Sequence, residues 1–212
     1  MSLMTEKETE CIRRHVSSGK SYLEWGAGES TRYACSQGNL ERIFTVESSR
    51  EFFEEHVLSD PLVRSARDAG RLDFRIVNIG AVKMWGIPIN SDLSHFWPNY
   101  SLCPFLTHDA SYDVALVDGR FRVACALACF LASPTVNTVL IHDYAKRPGY
   151  HIVERFSDVI ERADTLVVLR RKKDASVSDM RRVLRRYMFL PSDTFEGKSL
   201  FGKAFHKFQQ IF

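Results

Sequence analysis

The stretch "YLEWGAGEST", residues 22–31, decides how this chain reads. Tyr22, Leu23 and Trp25 belong to an apolar run of strand length. Glycines follow at 26 and 28, and "EST" opens like a helix. A strand that turns on glycines into a helix marks a ligand-binding edge, because the bare backbone can approach a bound group beyond the carboxyl end of the strand. Residue types narrow the ligand. A dinucleotide fingerprint, G-x-G-x-x-G, needs a third glycine at 31, where Thr31 stands. A phosphate-clamping loop needs a lysine after its last glycine, and none follows. Glu24, near the strand end, repels phosphate and suits a cationic ligand.

The rest of the chain alternates in the same style. "RIFTVE" (42–47), "DFRIVNIG" (73–80), "YDVALVD" (112–118) and "NTVLIHD" (137–143) read as strands. Helical patterns fall at about 30–37, over "SREFFEEHVL" (49–58), over "RVACALACFLA" (122–132) and near "YHIVERF" (150–156). Nearly continuous apolar strands are those covered on both faces of a parallel sheet. "DVIE" and "DTLVVLRR" follow too closely for a crossover and predict an antiparallel hairpin at the sheet edge. The expected fold is therefore α/β over residues 1–172: an open, mostly parallel, doubly wound Rossmann-like sheet with that edge hairpin. A basic, amphipathic helical tail, 173–212, follows and is expected to pack on the domain or on a second copy in a homodimer.

Composition is consistent with one globular domain: 45% of 212 residues are hydrophobic and 26% charged. Five cysteines, an odd number with no C-x-x-C, read as reduced thiols. With an amino end too charged for a secretion signal and no apolar run long enough for a membrane span, the expected location is the cytoplasm. Residues 83–110 interrupt the alternation with aromatics and prolines, which suits a lid over an acceptor. Trp85, Phe96, Trp97 and Tyr100 could stack on a planar or sugar-like acceptor there, and His95 and His108 are spare bases.

Taken in order, these motifs resemble the class I S-adenosylmethionine-dependent methyltransferases over roughly residues 20–172. "LEWGAG" matches the family's first motif, with Glu24, Gly26 and Gly28; Ser30 stands at the family's third glycine. The resemblance implies S-adenosylmethionine as cofactor. Glu47 would accept both ribose hydroxyls, and Asn78 and Ile79 would lie at the adenine. Asp118 and Gly119, in "DVALVDGR", form the fourth motif, and Ser30 and Thr31 complete the donor loop. The implied activity is methyl transfer to an oxygen or nitrogen of a small or sugar-like acceptor.

Asp118, His142 and Asp143 end neighbouring strands and are the candidate catalytic groups, as base or as hydrogen-bonding groups. Asp118 and Asp143 could instead hold a divalent cation, although no metal ligand set is assigned. Two other functions stay open: a nucleotide- or NAD-binding oxidoreductase on a related sheet, and a non-catalytic binding module. Residues 162–212 carry a charge of +7, against −4 for the remainder. Eight Lys/Arg between Arg170 and Arg186 offer a surface for an anionic acceptor. Phe201, Phe205, Phe208 and Phe212 recur at helical spacing behind them.

Overall fold

The computed structural model describes residues 4–106, 111–132, 136 and 138–192. Helix α1 (Glu6–Ser17) precedes strand β1 (Ser21–Trp25), helix α2 (Glu29–Ser36) and strand β2 (Arg42–Glu47). A short α3 (Arg50–Phe52) widens into a π-helical turn (Phe53–Val57), and α4 (Pro61–Asp68) leads to β3 (Leu72–Ile76). The insertion supplies a small ribbon, β4 (Val82–Lys83) and β5 (Ile87–Pro88), and the short α5 (Pro98–Leu102). Then come β6 (Val114–Val117), α6 (Arg122–Ala132), β7 (Thr138–Ile141), a 3-10 segment (Pro148–Arg155), β8 (Ser157–Ala163), β9 (Leu166–Arg171) and α7 (Val177–Tyr187).

Seven strands form one sheet in the order β3-β2-β1-β6-β7-β9-β8, parallel except where β9 pairs antiparallel with β7 and β8. The central strands are mostly apolar because alternate residues enter two cores. Leu23, Trp25, Val46, Val117 and Ile141 face one core, closed by α6, by α7 and by Trp97 and Tyr100 of the insertion. Tyr22, Ile43, Leu116 and Leu140 face the other, closed by Cys11, Ile12 and Val16 of α1 and by residues of α2 and α4. All five cysteines are free thiols, and burial pushes those of Cys35 and Cys103 up to about 12.

Register sets the working edge. Trp25 pairs with both Val46 and Val117, and Val117 pairs with Ile141. The next residues, Glu47, Gly26, Asp118 and His142, therefore stand in one row where the strand order reverses. Gly26 has φ +91°, and a side chain there would begin 2.8 Å from the Gly119 nitrogen. One at Gly119 would begin 2.2 Å from Tyr100 Oη. The glycines at 26 and 119 are thus required by two loops packing backbone to backbone.

Several elements depart from the sequence reading. Helices α1 and α4 are additional to it, each with a capping signal: Thr5 and Glu8 form a reciprocal capping box, and Asp60 caps ahead of Pro61. The expected helix over 49–58 is mostly a π turn. Ser176 caps α7, its Oγ accepting from the Asp179 N–H, one turn ahead of the apolar stripe the helix presents. Met180 and Leu184 on that stripe are buried in the core while Arg181, Arg182, Arg185 and Arg186 are exposed. His108 and the phenylalanines at 201, 205, 208 and 212 lie outside the described residues. Among the described residues no helix is long and apolar enough to cross a membrane.

If α7 is part of the folding unit, Met180→Ala will cost about 2–5 kcal/mol in urea unfolding. Arg185→Gln, exposed on the same helix, will change stability by less than about 0.5 kcal/mol.

Candidate functional site

The row at the carboxyl edge opens on a cavity of about 1060 Å³. Its wall comprises the glycine loop after β1, Glu47 to Ser49 after β2, the β4–β5 ribbon from Val82 to Ile87, Asp118 to Arg120 after β6, and His142 and Asp143 after β7. Gly26, Gly28, Ser30, Glu47, Asp118, Gly119, His142 and Asp143 all line it. Four expected donor residues do not, and each has a physical reason.

Glu24 is fully buried and faces the protein. Its carboxylate accepts hydrogen bonds from Ser30 Oγ (2.7 Å), Thr31 Oγ1 (2.5 Å), Thr45 Oγ1 (2.9 Å) and Tyr22 Oη (3.1 Å). Burial raises its pKa, and the four hydroxyls offset only part of that rise. Thr31 is the strut of the loop: its hydroxyl donates to Glu24 and accepts from the Gly28 N–H at 2.9 Å. It fills with a side chain the position a dinucleotide fingerprint leaves bare. Asn78 is exposed and folds back, its Oδ1 accepting from the Gly80 N–H at 2.9 Å. Ile79 is buried, and its carbonyl accepts from Trp97 Nε1 at 2.8 Å.

Glu47 lines the cavity but is heavily engaged. Oε1 accepts from Ser48 N–H (2.6 Å), Ser48 Oγ (3.0 Å) and Ser49 N–H (3.0 Å), and Oε2 from Ala27 N–H (3.1 Å). A carboxylate oxygen has two lone pairs, so Oε2 retains room for one further donor. It can serve one ribose hydroxyl, not the two expected.

At the other end of the row, Asp118 Oδ1 accepts from His142 Nδ1 at 2.8 Å. His142 Nε2 faces Glu8 Oε2 at 3.4 Å, and Glu8, buried in α1, is itself held by Thr165 and Thr5. Ionised carboxylates only accept, so when the imidazole is protonated both of its nitrogens are placed to donate, one to each carboxylate. Burial pulls the His142 pKa down, but the hydrogen bond and charge of Asp118, with Asp143, outweigh it and the net shift is upward. His142 is thus a partner of Asp118 rather than a free base.

Arg122, almost fully buried, ties the two strand ends together. Its guanidinium donates to the carbonyls of Gly119 (3.0 Å), Asp118 (3.0 Å) and His142. Its Nη2 also lies 3.2 Å from Asp118 Oδ1 and 3.4 Å from Asp143 Oδ2. A cation of the protein therefore already bridges the two carboxylates considered for a metal. Asp143 has φ +57°, a conformation that non-glycine residues rarely adopt, and it pairs with Arg147 at 3.6 Å.

Of the expected lid aromatics, Trp85 and Tyr100 line the cavity. Phe96 is exposed on the outside, its ring centroid 4.1 Å from that of His95 at a tilt of 43°, and Trp97 is core, where it helps dock the insertion. None of residues 170–186 lines the cavity. The wall instead carries Arg120, which the sequence reading did not single out although it follows the fourth motif directly. Its Nε is buried with no hydrogen-bond partner among the described residues. Leaving a buried donor unmet costs about 1–3 kcal/mol. Burial, and then the charge of Arg122, weigh against its charged form.

A structure of a methyltransferase-like protein from Silicibacter pomeroyi matches 90% of this chain and 98% of its own, with 26% identity and a TM-score of 0.76. The chain has the class I methyltransferase fold. Two further matches within that fold are an O-methyltransferase from Bacillus cereus (12% identity, 80% and 82% of the two chains, TM-score 0.47) and an rRNA methylase from Streptococcus thermophilus (8%, 82% and 100%, 0.46). No protein-family model matches the sequence, and no curated protein does. The methyltransferase fold accounts for the reversal of strand order beside the glycine loop and for the antiparallel strand near the edge.

The His142 ring should titrate above the ordinary imidazole value of about 6.5 in a long-range ¹H–¹⁵N experiment, and Asp118→Asn should lower its midpoint. A raised folded-state pKa means that its stabilisation is full at low pH and fades as pH climbs through that midpoint. A midpoint unmoved by the substitution would contradict the assigned contact.

Proposed function

We propose that this chain transfers a methyl group from S-adenosylmethionine to an oxygen or nitrogen of a small acceptor. The observation that carries the reading is the row of Glu47, Gly26, Asp118 and His142 opening on one cavity at the strand reversal. The wall suits the donor. A side chain built at Gly28 would meet nothing within 4 Å, so the loop leaves space there. Glu47 offers one acceptor position beside the loop. Glu29, exposed on the cavity wall, takes the place foreseen for Glu24 as the acidic group available to the donor's ammonium.

Bound S-adenosylmethionine supplies an electrophilic methyl carbon; the protein's task is alignment and the removal of an acceptor proton. Asp118 is the base in this reading. Its Oδ1 is fixed by His142 and Arg122, and its Oδ2 has no hydrogen-bond partner among the described residues. Val82, Trp85 and Ile87 of the ribbon shed water from the acceptor side. The loop argues against a dinucleotide oxidoreductase. The amides of Ala27 and Gly28, which a pyrophosphate would need, already donate to Glu47 and Thr31.

At ligand concentrations near a hundred times Kd, S-adenosylmethionine and its demethylated product should each raise Tm by about 5–10 °C. Glu47→Gln should cut that increment, read relative to the variant's own unliganded Tm. Stabilisation by NAD with none by either sulfur nucleoside would overturn the assignment.

A further inference from the structure

Among the described residues, two cations of the cavity wall make no ion pair, and this deepens the methyl-transfer reading on which it rests. Its other arginines are ion-paired. Arg32 pairs with Asp60 at 3.3 Å, Arg147 with Asp143, and Arg122 with Asp118 and Asp143. Among the described residues, Arg120 and Lys83 make no ion pair, and both line the cavity. The ribbon that carries Lys83 runs beside Arg120. Lys83 pairs with Ile87 in the β4–β5 ribbon, and the ribbon's turn, at Gly86, comes within 3.9 Å of the Arg120 stem, measured from where a Gly86 side chain would start.

We infer that Arg120 and Lys83 form the subsite for an anionic group, carboxylate or phosphate, on the methyl acceptor. Four observations support this. The Arg120 Nε is buried and unmet, as expected of a donor whose partner arrives with a ligand. The Arg120 backbone N–H donates to Tyr100 Oη at 3.3 Å, so the insertion holds the residue at the cavity rim. Among the described residues no wall carboxylate hydrogen-bonds or ion-pairs with it: Asp118 Oδ1 and Asp143 are engaged by Arg122, and Glu47 by its loop amides, and the charge of Asp118 reaches Arg120 only at longer range. The donor's sulfonium is itself cationic, so an anionic acceptor would also offset the charge gathered at this end of the site. The rows of arginine on α7, the sequence's first suggestion for an anion surface, lie away from the cavity wall.

The test titrates inorganic phosphate, and separately acetate, into the full chain saturated with S-adenosylhomocysteine, at constant ionic strength. The same titrations are run without the nucleoside. Saturable binding is expected, weakened at least about tenfold by Arg120→Gln and by a smaller factor by Lys83→Gln, with nucleoside affinity retained. The quadruple change Arg181→Gln, Arg182→Gln, Arg185→Gln, Arg186→Gln should leave it unaltered. Equal anion affinity in wild type and Arg120→Gln would overturn the inference. So would a fall in S-adenosylhomocysteine affinity with unchanged phosphate binding, which would give Arg120 to the donor's own carboxylate. Lys83 is exposed, so its variant reports even if Arg120→Gln folds poorly. Failure of the wild type to bind the nucleoside, with the anion result intact, would count against the donor reading alone.

Discussion

The site depends on one buried guanidinium. Parallel strands end with carbonyls pointing out of the sheet, and the chain must turn away there without wasting them. Arg122, in the first turn of α6, gathers the carbonyls after β6 and β7 and both neighbouring carboxylates into a single planar fork. A lysine could not reproduce this, since a point charge lacks the five fixed donors. A buried charge of this kind is tolerated because each of its three nitrogens has an acceptor and two carboxylates lie beside it, and what it provides is a fixed separation between two loops. Asp118 and His142 can meet at 2.8 Å because their strand ends are fastened from beneath.

The glycine loop follows a parallel principle on the other side of the reversal. Four hydroxyls converge on Glu24, and one of them, on Thr31, passes the connection to the backbone of Gly28. The loop is shaped by an acidic residue inside the protein, while its outer surface stays open. Gly26 and Gly119 then let the two loops touch, so the loops after β1 and β6 belong to one continuous wall.

The parallel sheet was legible because strands covered on both faces read as nearly continuous apolar runs, as the cores of "RIFTVE", "YDVALVD" and "NTVLIHD" do. The edge hairpin was legible from chain length alone. The row of site residues could be read too, since each follows the last apolar residue of its strand. Direction of side chains was harder. Glu24 and Asn78 sit where a ligand contact is plausible, yet one turns inward to hydroxyls and the other back on its own chain. A strand residue one step short of the edge points into a core, and alternation from Trp25 could have revealed that for Glu24. Glu8 was readable as half of a capping box with Thr5, but its second role, facing His142 across 134 positions, is a product of tertiary packing. Arg120 carried no signal beyond adjacency, because an unmet donor is a property of its surroundings.

The clasp made by Glu8 carries a practical consequence. One side chain in the opening helix joins the amide of Thr165, at the tip of the far hairpin, to the imidazole that braces Asp118. Helix α1 is thereby stitched to the hairpin of β8 and β9 and to the cavity's edge at once. A proteolytic cut that released this helix would leave the hairpin tip and the histidine without their shared anchor, so trimming the amino end behind Glu8 should be felt as lost chemistry as well as lost stability.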